Sequence, residues 1–235
     1  MSQLNIVILA AGKGTRMHSN LPKVLHEIGA KPILEHVIDC AKALNPDKVI
    51  VVYGFGGEAV KEQFSKENIT WVNQAEQLGT GHAVQQAVPH LEDRANTLIL
   101  LGDVPLVDVE ACRKLIAHSD SKLVIQSFNK TDPAGYGRIV RSADGQVAAI
   151  VEHKDATAAQ HDINEVNTGI MAMPNKYLKK WLLQLTNNNA QGEYYLTDIV
   201  ALAVEEGVQV SAEITEDEWS ATGISSKTDL LQIEC

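Results

Sequence analysis

The chain has 235 residues, 45% of them hydrophobic and 21% charged, which excludes a disordered segment and a coiled coil. A net charge of -10 and a pI near 5.2 speak against a nucleic-acid-binding protein. No apolar run approaches the roughly 20 residues that span a bilayer. The opening MSQLNIVILAAGKGTRM carries no basic stretch ahead of its apolar run, so no signal peptide is expected.

Leu4 to Leu9 is a β-branched apolar run that predicts a buried strand, broken by Gly12 and Gly14. Pro32 suits a first helical turn, and Ile33, Leu34, Val37, Ile38, Ala41 and Leu44 then share one helical face. Lys48 to Tyr53 predicts a second strand, followed by a polar helix to about Glu67 and a third strand from Ile69 to Asn73. A helix over His82 to Leu91 and a fourth strand over Thr97 to Leu101 continue the alternation. That order predicts an α/β fold with a Rossmann-like, doubly wound sheet, mixed but mainly parallel, and helices on both faces.

The pattern changes after about Lys122. Strand-like runs at 123–128, 138–142 and 146–151 lie close together, with Asp144-Gly145 as a hairpin turn between the last two. Val166 to Met173 predicts another strand, with helices at about 175–185 and 196–206 and a strand near 208–214. This half is expected to form a small antiparallel, substrate-binding insertion beside the sheet, with no linker and no internal repeat. Cys40, Cys112 and Cys235 are odd in number and lack metal-ligand spacing, so they read as reduced thiols of a cytoplasmic protein.

Charge is unevenly spread. Between Met1 and Leu34, Lys13, Arg16, Lys23 and Lys31 face a single acid, Glu27, for a local charge of +3. From Glu205 to Glu218 there are six acids and no Lys or Arg. Screening acts over about 8 Å in physiological salt, so an anionic ligand is sought at the N-terminus.

LAAGKGTRM, Leu9 to Met17, follows the first strand directly. A glycine loop there lets backbone N–H groups approach an anion, and Lys13, Arg16 and Lys23 add charge. It lacks the GK[ST] ending of a P-loop and the G-x-G-x-x-G dinucleotide fingerprint. A tight turn with surface cations is the competing account; the clustered cations favour phosphate. Asp103, in GDVPL after the fourth strand, lies where open parallel sheets bind ligands, and one carboxylate suffices for a Mg²⁺ shared with phosphates. A turn or cap aspartate is the alternative. Gln74 and QLGTGHAV, with Gly79 and Thr80, offer backbone donors to a planar base, or Thr80 simply caps the next helix. Glu152 and Asn167 suit sugar hydroxyls or an acetamido group, or are surface residues. NNNAQGEYYLTDI, Asn187 to Ile199, is too polar for an ordinary helix or strand. The eight histidines form no metal-ligand pattern, and there is no GxSxG elbow.

LAAGKGTRM, LPKVL, QLGTGHAV, GDVPL, GYGRI, VEHKDA, NTGI and NNNAQGEYYLTDI occur in one order. Together, over roughly Leu4 to Gly207, they resemble the pyrophosphorylase domain of the bifunctional bacterial N-acetylglucosamine-1-phosphate uridyltransferase/glucosamine-1-phosphate acetyltransferases. The resemblance implies a nucleotide-diphospho-sugar transferase fold whose antiparallel insertion binds sugar. It implies a cytoplasmic, Mg²⁺-dependent uridylyltransferase taking UTP and N-acetylglucosamine 1-phosphate to UDP-N-acetylglucosamine and pyrophosphate. By matching motifs, Leu9, Ala10, Ala11 and Gly12 would contact the nucleotide, with Gln74, Gly79 and Thr80 at the uracil. Gly102 would join the substrate site, and Gly137, Glu152 and Asn167 would hold the sugar. Arg16 and Lys23 would bind the phosphates, and Asp103 would ligate the metal.

Three departures bear on this. The family usually has Tyr before the Gly-Asp pair, where this chain has Leu101. The family's second metal ligand is Asn in a GVN-type segment; here the stretch is Gly223-Ile224-Ser225, and Ser225 is carried as the ligand. The third is the family's trimerising hexapeptide-repeat β-helix, which is expected to be absent after Cys235. Residues 1–225 are thus expected to form the nucleotidyltransferase domain and 226–235 a C-terminal segment, without acetyl transfer or acetyl-CoA binding. A monomer or weak dimer is expected, with no nucleic-acid or membrane partner. A related sugar 1-phosphate, or a UDP-sugar-binding module impaired by Leu101 and Ser225, are the alternatives.

Overall fold

The computed structural model describes residues 3–234; Cys235 lies outside them. In chain order the elements begin with β1 (Leu4–Ala10), β2 (Glu27–Ile28), β3 (Lys31–Pro32), α1 (Ile33–Ala43), β4 (Lys48–Tyr53), α2 (Gly57–Gln63) and β5 (Thr70–Asn73). There follow α3 (Thr80–Ala87), β6 (Asn96–Leu101), α4 (Val109–His118), β7 (Leu123–Asn129), β8 (Arg138–Arg141) and β9 (Val147–Val151). The chain continues with α5 (Ala158–His161), β10 (Glu165–Pro174), α6 (Asn175–Leu182), α7 (Asp198–Glu205), β11 (Val210–Ile214) and α8 (Lys227–Glu234).

The main sheet runs β11-β7-β10-β6-β1-β4-β5. β1 pairs in parallel with both β4 and β6, and β4 with β5. β10 is the reversed strand, antiparallel to β6 and β7, while β11 joins β7 in parallel. β1 is apolar except for the buried Asn5, as a strand covered on both faces should be. Val7, Ile50, Val52 and Ile99 pack on α3, α6 and α7. Ile6, Ile8, Val51, Leu98 and Leu100 pack on α1, α2 and α4 on the other face.

The expected doubly wound sheet is present. The second half differs in one respect: β7, β10 and β11 extend the main sheet, and the antiparallel insertion is the β8–β9 hairpin, joined to that sheet where Arg138 of β8 pairs with Val166 of β10. Its turn at Asp144-Gly145 is as expected, with Gly145 at φ +82°. The predicted helix over His82 to Leu91 is shorter, with a tight turn at Val88–His90 around Pro89, where the missing N–H ends the ladder. The helix α4 carried no sequence expectation, although Asp108 caps it by accepting from Ala111 N–H at 2.8 Å. Cys40 and Cys112 are buried free thiols on α1 and α4. Among the described residues no helix is long and apolar enough to cross a membrane.

Candidate active site

The order of strands reverses at β1, with β4 on one side and β6 on the other. Open sheets bind ligands at such a point, beyond the carboxyl ends. Here the loops after β1, β5 and β6 meet around a cavity of about 390 Å³ lined by Leu9 to Lys13, Lys23, Gln74, Gln77, Gly79, Thr80, Leu101, Asp103 and Glu193. A second cavity of about 510 Å³ adjoins it and shares Leu9, Thr80, Leu101 and Asp103. Its walls include Arg16, Lys130, Gly137, Glu152, Asn167, Thr197 and Ser225.

Asp103 stands at the junction. Its Oδ2 accepts from Lys23 Nζ at 2.5 Å, and both side chains are largely buried, at 22% and 15% exposure. Lys23 lies in a tight turn (Lys23–Leu25), and its stem passes over Gly14. A Cβ at Gly14 would stand 2.6 Å from Lys23 Cβ, and the φ of +59° there also favours glycine. Gly14 thus serves the approach of Lys23, whereas a Cβ at Gly12 would meet nothing within 4 Å.

Gln74 is buried; its Nε2 donates to the Gly79 carbonyl at 3.1 Å and lies 3.0 Å from His82 Nδ1. Thr80 does not cap α3. It is the first residue of that helix, Gly79 stands at the cap, and Thr80 Oγ1 instead accepts from Leu196 N–H at 3.0 Å. Gly79 has φ +112°, and a Cβ there would meet the Tyr194 carbonyl oxygen at 2.6 Å. Gly102 lies behind the junction: its N–H donates to the Leu9 carbonyl at 2.9 Å, and a Cβ would stand 3.0 Å from that oxygen.

Asn167 reaches the second cavity because β10 runs against β6, which brings its first residues to the ligand end. A bulge between Asn167 and Met171 is held by Asn167 Oδ1 accepting from Gly169 N–H at 3.1 Å and Thr168 Oγ1 accepting from Ile170 N–H at 3.0 Å. Glu152 is not a surface residue. Its Oε1 accepts from the Thr197 hydroxyl at 2.8 Å. Burial pushes its carboxyl above the ordinary value; the Thr197 bond opposes this, and the carboxylates of Asp198, Asp155 and Glu193 add to it.

Residues 187–197 strap the two cavities together. Asp155 accepts from Ala190 N–H at 2.8 Å and from the Tyr195 hydroxyl at 3.0 Å, while Tyr194 N–H donates to the Leu78 carbonyl at 2.8 Å. The sequence marked this loop as unusually polar but singled out no residue in it. Glu193, Thr197, Asp155, Gln77 and Lys130 went unmarked, since a lone polar residue carries no spacing signal.

The Gly223–Ser225 stretch docks beside Asp103. Ile224 N–H donates to the Asp103 carbonyl at 2.8 Å, and a Cβ at Gly223 would lie 3.6 Å from Asp103 Oδ2. Ser225 N–H is fixed by Asp229 Oδ2 at 2.8 Å, and Ser226 caps α8. Leu230 and Ile233 of α8 pack on Met17, Ile28, Ile33 and Ile224. His153 and His161 meet edge-on at 4.8 Å, but among the described residues no three His, Cys, Asp or Glu side chains are placed to hold a metal ion.

Residues 6–167 match the model of the MobA-like NTP transferase domain. The chain belongs to that family. Among its members' relatives, the Bifunctional protein GlmU of Methylobacillus flagellatus is 59% identical over 233 residues, covering 99% of this chain and 50% of that protein. The GlmU proteins of Nitrosospira multiformis and Dechloromonas aromatica are 56% and 54% identical, each over 51% of its length. The chain thus spans about half the length of the curated relatives it matches. A solved nucleotidyl transferase from Methanothermobacter thermautotroptrophicus superposes with a TM-score of 0.68 at 18% identity, covering 99% of this chain and 96% of that one, which supports the fold.

Proposed function

We propose that this MobA-like NTP transferase domain transfers a uridylyl group from UTP to N-acetylglucosamine 1-phosphate, releasing pyrophosphate and forming UDP-N-acetylglucosamine. The observation that carries the reading is the Lys23–Asp103 pair at the junction of two cavities, one behind the glycine loop and one walled by Glu152 and Asn167. Relatives named GlmU at 51–59% identity support the choice of substrates.

In this reading the nucleotide lies in the first cavity, against the backbone of Leu9 to Gly12, with its base at Gln74, Gly79 and Thr80. The sugar lies in the second, where Glu152 and Asn167 accept from and donate to its hydroxyl and acetamido groups beside Gly137. The two phosphates then meet at Asp103. A phosphate oxygen of the sugar attacks the α-phosphorus as the bond to pyrophosphate breaks, and charge builds on the phosphate oxygens. Lys23 and Arg16 stabilise that charge, and the two cavities supply orientation; no covalent nucleophile is required.

The donor set fits a hard divalent cation. One carboxylate with a neighbouring hydroxyl segment suits Mg²⁺, which keeps water and shares phosphate oxygens. Asp103 and Ser225 would hold it, and when bound it would neutralise phosphate charge. Residues 1–225 carry all the groups named. The free thiols Cys40 and Cys112 favour the reducing cytoplasm.

The test is pyrophosphate release from UTP and N-acetylglucosamine 1-phosphate, with Mg²⁺ and again with EDTA. Metal-dependent release is expected. A folded protein that binds UDP-N-acetylglucosamine but releases nothing would be a binding module, and the proposal would fall.

A further inference from the structure

The wall that places Ser225 beside Asp103 is held by an ion pair that the reading above leaves without a role. Residues 215–225 leave the edge strand β11 and border the second cavity with Ala221, Thr222, Gly223 and Ser225. At one end Thr215 N–H donates to the Ser127 carbonyl at 2.8 Å, and at the other Ile224 N–H donates to the Asp103 carbonyl at 2.8 Å. Between these ends Ala221 is buried against Phe128, Val166 and Tyr136. Glu218 is ion-paired there with Lys130, whose ammonium stands 5.9 Å from the Phe128 ring centroid and 5.5 Å from that of Tyr136.

A cation at this place eases the local electrostatics, beside Arg16 in the same cavity and Lys23 on Asp103. Glu216, Asp217 and Glu218 are consecutive acids, and the cavity they approach already presents Asp103, Glu152 and Asp229. Like charges brought this close repel, and the molecule as a whole is negative. Lys130 lines the same cavity and offsets that repulsion from a fixed platform of two aromatic faces. Thr222 Oγ1 donates to the Glu218 carbonyl at 2.8 Å, so the position of Glu218 is passed on toward Gly223.

We propose that Lys130 and Glu218 are positioning residues, whose ion pair on the Phe128–Tyr136 platform keeps residues 218–225 closed on the second cavity and so sets Ser225 beside Asp103. The inference rests on reading that cavity as the sugar-phosphate site. The two side chains are 23% and 48% exposed, so the pair is partly screened and its effect is modest. Exposed pairs shift an equilibrium by at most about fivefold. The first cavity contains no residue of 218–225, so the effect falls mainly on the sugar phosphate and reaches UTP only through the Asp103–Ser225 junction.

The test compares Lys130→Met, Glu218→Gln, their combination and Lys130→Arg. Two readouts are used: KM for each substrate, and acrylamide quenching of Trp219, which is 49% exposed on this segment while Trp181 is fully buried. A Trp219→Phe control isolates its signal. Each neutral variant should raise the KM for N-acetylglucosamine 1-phosphate by about two- to fivefold and increase quenching, with a smaller rise in the KM for UTP. The combination should be no worse than either single change, and Lys130→Arg should behave as wild type. An effect of Lys130→Met with a silent Glu218→Gln would overturn the proposal and make Lys130 a ligand contact. Unchanged quenching in both neutral variants would overturn it as well. If the wild-type protein releases no pyrophosphate, the functional reading fails, and the quenching comparison still decides the ion pair.

Discussion

Lys23 and Asp103 come from loops 80 residues apart, yet Lys23 Nζ lies 2.5 Å from Asp103 Oδ2. One leaves the glycine loop after β1 and the other the end of β6, and the parallel pairing of those strands brings them together. A cation and an anion so placed give phosphates a fixed positive group and give a metal a fixed carboxylate, without the cost of leaving either charge alone in a largely buried site.

Lys23→Ala and Asp103→Ala should each lower turnover by on the order of 10²–10³, the usual loss when one preorganised stabiliser is removed. Thermal melts by circular dichroism should show both variants folded, because neither side chain belongs to the apolar clusters on the two sheet faces. Near-normal pyrophosphate release from either purified variant would remove its assigned role.

Gly14→Ala tests how Lys23 gets there. The new methyl would stand 2.6 Å from Lys23 Cβ at a backbone angle of +59°, so the lysine stem must move. The left-handed conformation alone costs about 1–3 kcal/mol for a residue other than glycine. Turnover should fall towards that of Lys23→Ala, while Gly12→Ala, with nothing within 4 Å, should fall less. Equal losses in the two alanine variants would show that the loop glycines serve ligand approach alone.

The parallel core was legible because its strands are apolar on both faces, and the predicted 48–53 strand coincides with β4. The motif residues at the two cavities were legible through their order in the chain, which matches a known family. What escaped were relations set by three-dimensional closure. β7 and β10 read as part of an insertion because sequence neighbours hid their pairing with β6 and β11. The cap reading for Thr80 failed since its hydroxyl is claimed by Leu196, 116 residues away. Asp155 and Lys130 carried no sequence expectation, because their partners lie far along the chain in the strap and the 215–225 segment.

Thr80→Val should separate the strap from the base site. It deletes the acceptor for Leu196 N–H but keeps the volume, at a cost of about 1–3 kcal/mol for the unpaired group. Urea unfolding should show that loss, and Thr80→Ser should recover it. Since Thr80 lines both cavities, the KM values for both substrates should rise together. A rise for UTP alone would mean that the strap does not join the two sites.

Glu152→Gln is expected to change both binding and the pH dependence of stability. Burial raises the folded carboxyl above its ordinary 4.5, so the folded state holds more protons than the unfolded one between those two values. Wild-type stability therefore falls as pH rises from about 4.5 through the raised folded value and is level above it. The amide of Gln cannot ionise, and its oxygen still accepts the Thr197 hydroxyl, so this part of the slope should vanish. At neutral pH the variant should be at least as stable as the wild type, having no charge to desolvate. Sugar hydroxyls donate more strongly to a carboxylate than to an amide, so the KM for N-acetylglucosamine 1-phosphate should rise by about five- to tenfold. Urea midpoints measured for both proteins from pH 4 to pH 8 decide the first point: parallel curves would mean that Glu152 carries no buried charge, and an unchanged KM would take it out of the sugar site.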